Sequence, residues 1–545
     1  MIDRPAFATW DEPNQRFRSP LCCPEPECGH PIDPLPSPPT SPLADWCRQC
    51  GRPFERTSIR SDAGAPPMEV TRRGGASFCT MTGQELTLPS PLDWAEAGGD
   101  SGRTGCLSDP RGAFFGNPNR NKVIDAAKKW EVGEVFGPDG ESGDPVRSIV
   151  VVQGRLVVTS AGGRTAVLRP EDGTSLLPRG ECLEWPDGSA DAVSDECSVS
   201  HPVAVRGGRI CIVAGHQVAF RDIREYLGRP SRGMRSVASL DAAEGNRFYG
   251  PPLGIDGDRP LFALLEGHAE NEDGVLGAAI VRVVDGAGTE VSSWEATGIV
   301  RPPVYDRLNH VLVWVTNTGT MNSVPLSQFA RGTAAIVSSH PAEKFSATFD
   351  ARSTLVVAPN ARGWAEVWLA EGSAGGDSFT LRSALLQPRA CPTLHPSHSS
   401  WKWSQRVYHS PSGPINGLAI GIGGRTTADG AADLAAVTCD EGVFGLRKSS
   451  SGVLERDFTE SAPGGSIRGS ADPPMLCSAG VIARTNLGVY LHSDGLGWSQ
   501  AGGRRFVPLP STERRRQGLA ILGRRIFVGL GTGVVAIDLE PKECA

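Results

Sequence analysis

From residue 148 onward the chain repeats one pattern about eight times: a short apolar run, a turn, a second apolar run, a turn carrying Gly or Asn, and a third run. None of the runs is long enough for an amphipathic helix, and each is bounded by residues that reverse the backbone, so the pattern commits the chain to meanders of antiparallel strands. The clearest copies are His201 to Val213 and Gly518 to Gly529, the latter closed by Gly533 to Asp538. With 66 Gly and 44 Pro against 6% aromatic residues, the composition suits many short strands joined by tight turns rather than helical bundles. One segment reads as a helix: in Asn121 to Glu131, Val123, Ala127 and Trp130 fall on one face at helical spacing.

The copies can be laid out in order. They are Ile149 to Val152 with Leu156 to Ser160 and Thr165 to Leu168; the copy at Pro202; Pro252 with Leu261 to Leu265 and Ala278 to Val284; and Pro303 with Val311 to Val315. Ala347 follows with Leu355 to Ala358 and Glu366 to Leu369, then Ile415 with Leu434 to Cys439 and Val443 to Leu446, and finally copies beginning at Pro474 and Leu519. A proline at the head of many copies can open a strand without a ladder hydrogen bond of its own. Turn-and-strand sequences such as Asp285 to Trp294 and Ser450 to Glu455 supply a fourth, outer strand. The spacing of about fifty residues matches a four-stranded blade.

This arrangement resembles the quinoprotein-like (PQQ-like) β-propeller repeat over most of residues 148 to 540. The resemblance implies an all-β propeller ring, and counting the copies gives eight four-stranded blades, or seven if one weak copy is an insertion. The last copy has no outer strand after Glu540, and the segment Phe78 to Leu88 is the expected ring-closing strand, leaving no open edge. The resemblance brings no PQQ chemistry with it. The PQQ dehydrogenases carry a vicinal cysteine disulfide within the propeller, whereas the vicinal pair here, Cys22-Cys23, lies far N-terminal to the repeats, and a Cys-x-x-Cys-His haem motif is missing. No PQQ is expected.

Five of the 14 cysteines fall inside residues 22 to 50, as two knuckles: Cys23-x4-Cys28 and Cys47-x2-Cys50. Tetrahedral zinc takes four soft donors, and two short cysteine loops each followed by Gly supply them, so the segment resembles a zinc ribbon. The ligand set is Cys23, Cys28, Cys47 and Cys50, with Cys22 or His30 as a substitute ligand, and the metal is structural because so small a unit lacks a sufficient core. The expected organisation is therefore a zinc ribbon at 1–58, a linker with first strands including the closing strand at 59–147, and the propeller at 148–545. Cys211, Cys439 and Cys477 sit in apolar strand patterns, where a reduced cysteine serves as a small hydrophobe.

A formal charge of −7 argues against a protein whose main work is coating nucleic acid. No run approaches the roughly 18 apolar residues of a membrane helix, and residues 1 to 12 lack a signal core, so a cytoplasmic, membrane-free protein is expected. Two surface segments stand out. The insertion from Cys391 to His409 gathers the metal-capable His395 and His398, whose spacing matches no regular ligand pattern, with Trp401, Trp403 and Tyr408, and Trp and Tyr are enriched at binding hot spots. Seven arginines fall between Arg504 and Arg525, including Arg514, Arg515 and Arg516, a candidate patch for an acidic partner. Gly529 to Gly533 resembles a nucleotide loop, but it lies between two strands and reads as a hairpin turn.

No catalytic constellation emerges. The sequence thus points to a non-enzymatic protein-interaction scaffold with a structural zinc. Soluble propellers with ribbons resemble accessory subunits of bacterial multiprotein systems, including defence complexes. The alternatives are a hydrolase or lyase using the propeller channel, and a nucleic-acid-contacting subunit.

Overall fold

The apolar runs are nearly continuous rather than alternating, and the computed structural model shows why: their strands are buried on both faces. The structure describes residues 122–136, 144–177, 201–223 and 238–255 almost without interruption, the strands of the remaining sheets with some adjoining turns, and, before residue 122, the backbone of short strands alone.

After residue 145 the strands form successive antiparallel meanders spanning 146–168, 204–241, 247–297, 304–340, 354–410, 415–460 and 475–508, ending in a sheet built from 519–543. In the first, Val150, Val157 and Val167 pack against Val203, Ile210 and Ile212 of the second sheet, while Ile149, Leu156 and Val158 face the other way, onto the last sheet. The same two-sided burial recurs around the molecule. Phe220 meets Phe262, their ring centroids 5.9 Å apart; Leu265 shares a core cluster with Trp314, Met321 with Leu355, Trp368 with Phe444, and Ala419 with Tyr490. One further cluster joins 475–508, 519–543 and 146–168, so the series of sheets closes on itself. Four-stranded meanders packed face to face in a closed series make a β-propeller.

The closing strand is not the expected one. Lys122–Val132 pairs antiparallel with Gly533–Glu543, giving the last sheet the order Lys122–Val132, Gly533–Glu543, Arg525–Leu530, Leu519–Leu522. Phe78 to Leu88 instead falls across Ala76–Cys79 and Glu85–Leu86, the last two strands of a five-stranded sheet that begins at Leu43–Trp46. The helix expected over Asn121 to Glu131 is this closing strand. A β-bulge between Lys128 and Trp130 explains the misreading. Positions 123 and 127 are two alternations apart in register, and the extra residue at the bulge brings position 130 into phase with them, so a bulged strand reproduces helical spacing.

Two further differences concern register and edge. In the sheet 354–410, Thr354–Pro359 is the first strand, not the second, which places residues 387–407 between the third strand, Phe379–Leu386, and the fourth, Tyr408–Ser410. Among the described residues the first sheet has three strands, and beside the third the chain turns back at Ser175, bridged to Leu168, with Leu176 N donating to Val167 O.

Buried polar groups tie neighbouring sheets together. Ser148 Oγ accepts from Val203 N at 3.2 Å, and Arg206, 1% exposed, donates to Gly254 O at 3.2 Å. Asp472 accepts from Gly518 N and faces Arg484 at 3.5 Å; burial draws the Arg484 pKa down and Asp472 partly restores it. Glu266, fully buried, pairs with Arg282 and accepts from Ala243 N and Asn246 Nδ2, fixing the crossover between two sheets. Cys211 and Cys439 are buried and outside any disulfide, and burial pushes the Cys211 thiol pKa well up.

Before residue 122, Leu21–Cys22 pairs with Pro31–Ile32, and Leu43–Trp46 with Pro53–Ile59. Each cysteine knuckle therefore falls between two strands of an antiparallel hairpin. Pro53–Ile59 crosses residue 58 and continues the five-stranded sheet to Leu86.

Candidate functional site

The seam between last and first sheets is built from the turn that follows Thr165–Leu168. That turn, Pro170 to Gly173, projects onto the closing strand and its neighbours. Gly173 has φ +74°, and a Cβ there would lie 2.7 Å from Val132 Cγ2 and 2.9 Å from the Trp130 ring, so glycine is required by both conformation and space. Trp130 Nε1 donates to Pro170 O at 3.1 Å. Its ring leans over Ala536, the small residue between them in register, to meet Phe527 at 5.9 Å.

Beside this clasp, Arg525 and Asp538 stand opposite each other on adjacent strands. Arg525 Nε and Nη2 donate to the two carboxylate oxygens, the Nη2 bond at 2.8 Å, while Nη1 donates to Pro170 O at 2.6 Å and Glu171 O at 3.2 Å. The bidentate pair raises the Arg525 pKa and lowers that of Asp538, the hydrogen bonds being the leading cause in each case. Both side chains keep 21% exposure because they border a cleft of 340 Å³, lined by Pro170, Glu171, Leu522, Arg525, Phe527, Asp538 and Leu539.

Neither solved-structure likeness nor sequence kinship assigns this cleft a role. No family matches the sequence, and no curated protein does. Chaetomium thermophilum Sqt1, solved bound to the N-terminus of ribosomal protein L10, is similar at 13% identity and TM-score 0.44, over 76% of this chain and all of that one. The β-propeller domain of Myceliophteria thermophila Cps50 (Swd1) is similar at 12% identity and TM-score 0.37, over 67% of this chain and 98% of that one.

The residues singled out from the sequence are mostly not in the cleft. Cys23, Cys28, His30, Cys47, Cys50, Trp401, Trp403 and Arg514 to Arg516 lie outside the described residues; Cys22 ends the strand Leu21–Cys22. Tyr408 opens an outer strand, opposite Leu381. Of the seven arginines between Arg504 and Arg525, the structure describes three. Arg504 and Arg505 belong to the outer strand Arg504–Pro508, whereas Arg525 is committed to the clasp. The glycine-rich 529–533 is a hairpin turn, as its flanking strands implied. Sequence reasoning missed Glu171 and Asp538. The register of that hairpin would have set Asp538 opposite Arg525; no signal pointed to Glu171.

Proposed function

We propose that this protein is a non-enzymatic interaction scaffold: an eight-bladed ring of quinoprotein-like repeats, preceded by a zinc-bound module, that docks protein partners. The observation that carries this reading is where the buried charge goes. Among the described residues, Arg206, Glu266, Arg282, Asp472 and Arg484 tie strands, crossovers and neighbouring sheets together, while Val146–Val152, apart from Arg147 and Ser148, and Leu519–Leu522 present aliphatic side chains that are mostly buried. A channel enzyme needs titratable groups converging on reacting atoms. Among the described residues, the seven meanders and the last sheet, with the clusters between them, support eight blades rather than seven.

Docking is assigned to Trp401, Trp403 and Tyr408, which in sequence follow the third strand of the sheet 354–410, and to Arg514 to Arg516. Among the described residues the sole large apolar side chain that is exposed is Leu487, at 48%, so the described faces offer no broad apolar patch. The zinc assignment rests on the sequence spacing of Cys23, Cys28, Cys47 and Cys50, each pair of which falls between two strands that pair with one another. No helix among the described residues is long and apolar enough to cross a membrane.

Tagged protein recovered from its native cells, wild type beside Trp401→Ala/Trp403→Ala, tests the scaffold. A near-stoichiometric partner lost in the double variant is expected. Recovery of the wild-type protein alone would overturn the reading, and turnover dependent on a channel residue would replace it with the enzyme alternative.

A further inference from the structure

The cleft beside the clasp has a one-sided hydrogen-bonding capacity. Arg525 is nearly saturated: Nε and one Nη2 hydrogen go to Asp538, and both Nη1 hydrogens go to the carbonyls of Pro170 and Glu171, leaving a single Nη2 hydrogen. The acceptors are not saturated. Each Asp538 oxygen takes one bond from Arg525 and keeps a lone pair, and the exposed Glu171 carboxylate lies at the rim. Among the described lining residues, two carboxylates against one guanidinium leave one excess negative charge. Lys129 acts on Asp538 from the exposed side of the closing strand and is not part of the lining. The other described residues of the lining are Leu522, Phe527, Leu539 and Pro170.

Apolar walls leading to open acceptors suit a long aliphatic stem that ends in donors, the arrangement by which lysine and arginine bury their methylenes and keep the charged head in contact with polar groups. An anion would find its natural guanidinium partner already occupied, and a purely apolar group would leave the Glu171 and Asp538 oxygens against hydrocarbon. We propose that the cleft is a docking pocket for a lysine or arginine side chain presented by a protein partner. The proposal rests on the scaffold reading and names the chemistry of one contact it makes.

Glu171 is the residue to vary, because its backbone carbonyl, not its side chain, holds the clasp. Fluorescein-labelled hexapeptides identical except for a central lysine, norleucine or glutamate would be titrated into the full-length protein by anisotropy. The lysine peptide should bind at least about fivefold tighter than the norleucine peptide, with the glutamate peptide weakest, the size set by one partly exposed ion pair of about 1 kcal/mol. Glu171→Gln should remove most of that preference, and Glu171→Lys should abolish it with the thermal midpoint kept. Equal binding of the lysine and norleucine peptides, or a preference that survives Glu171→Lys, overturns the proposal. Leu522→Arg, which fills the cleft from within, gives a second arm: unaltered lysine-peptide binding in that variant also overturns it. Partner retention lost with Trp401 and Trp403 while the peptides fail would sink the cleft and spare the scaffold; peptide binding by a protein recovered alone would do the reverse.

Discussion

Replacing Gly173 by alanine should release the closing strand while the rest of the ring stays folded. The residue holds φ +74°, where a Cβ adds about 1 kcal/mol or somewhat more of backbone strain. It also has no room: the new methyl would sit 2.7 Å from Val132 Cγ2 and 2.9 Å from the Trp130 ring, an overlap of the kind that costs about 1–3 kcal/mol when a packed site must shift. The sum is about 2–4 kcal/mol. Both clashing side chains belong to Lys122–Val132, an outer strand with a single ladder partner, so the cheapest relief is detachment of that strand. Native-state hydrogen exchange resolves such local openings. At about 1.4 kcal/mol per factor of ten, amides of 122–132 should exchange roughly thirty to several hundred times faster, while those of 247–297 stay protected. Gly154→Ala is the control. Gly154 has φ +69° but nothing within 4 Å of a new methyl, so it isolates the strain, about 1 kcal/mol and about fivefold. If exchange at 122–132 is the same in the two variants, or if protection is lost evenly around the ring, the clasp does not hold the strand.

Gly254→Ala should cost about 2–4 kcal/mol in urea unfolding, because its Cβ would lie 2.5 Å from Cζ of the buried Arg206; an unchanged midpoint would show the guanidinium moves freely. The Asp538 carboxyl has its pKa lowered in the fold, so its contribution is complete above the unfolded value near 3.8 and fades as pH falls through the lower folded value. Comparing acid unfolding of wild type and Asp538→Asn should show a difference above about pH 4 that shrinks below it; a constant gap would refute the linkage. Chelation of the native protein should release one zinc per chain and expose Cys23, Cys28, Cys47 and Cys50 to alkylation, with exchange in 247–297 unaffected; full alkylation before chelation would remove the metal.

Sequence patterning made the sheet series legible where strands are apolar on both faces, as at Val146–Val152 and Arg525–Leu530. It failed at Lys122–Val132, whose strand character comes from a partner far away in the chain and whose bulge mimics helical spacing. Thr354–Pro359 was displaced by one strand because Ala347 offered a local head for the copy and nothing local fixes strand order. The cleft was invisible for a related reason. Arg525 reads as one of seven surface arginines until its partners Pro170 and Glu171, more than 350 positions away, are in place.

The closing strand also sets a schedule. Lys122–Val132 leaves the ribosome about 400 residues before Gly533–Glu543, which at 5–20 residues per second is a wait of roughly 20–80 s with an unpaired edge. The bulge at Lys128 to Trp130 and the adjacent Lys128 and Lys129 are devices that discourage a strand from pairing with a stranger. The same irregularity that disguises the strand in the sequence would keep it available until its own partner is made.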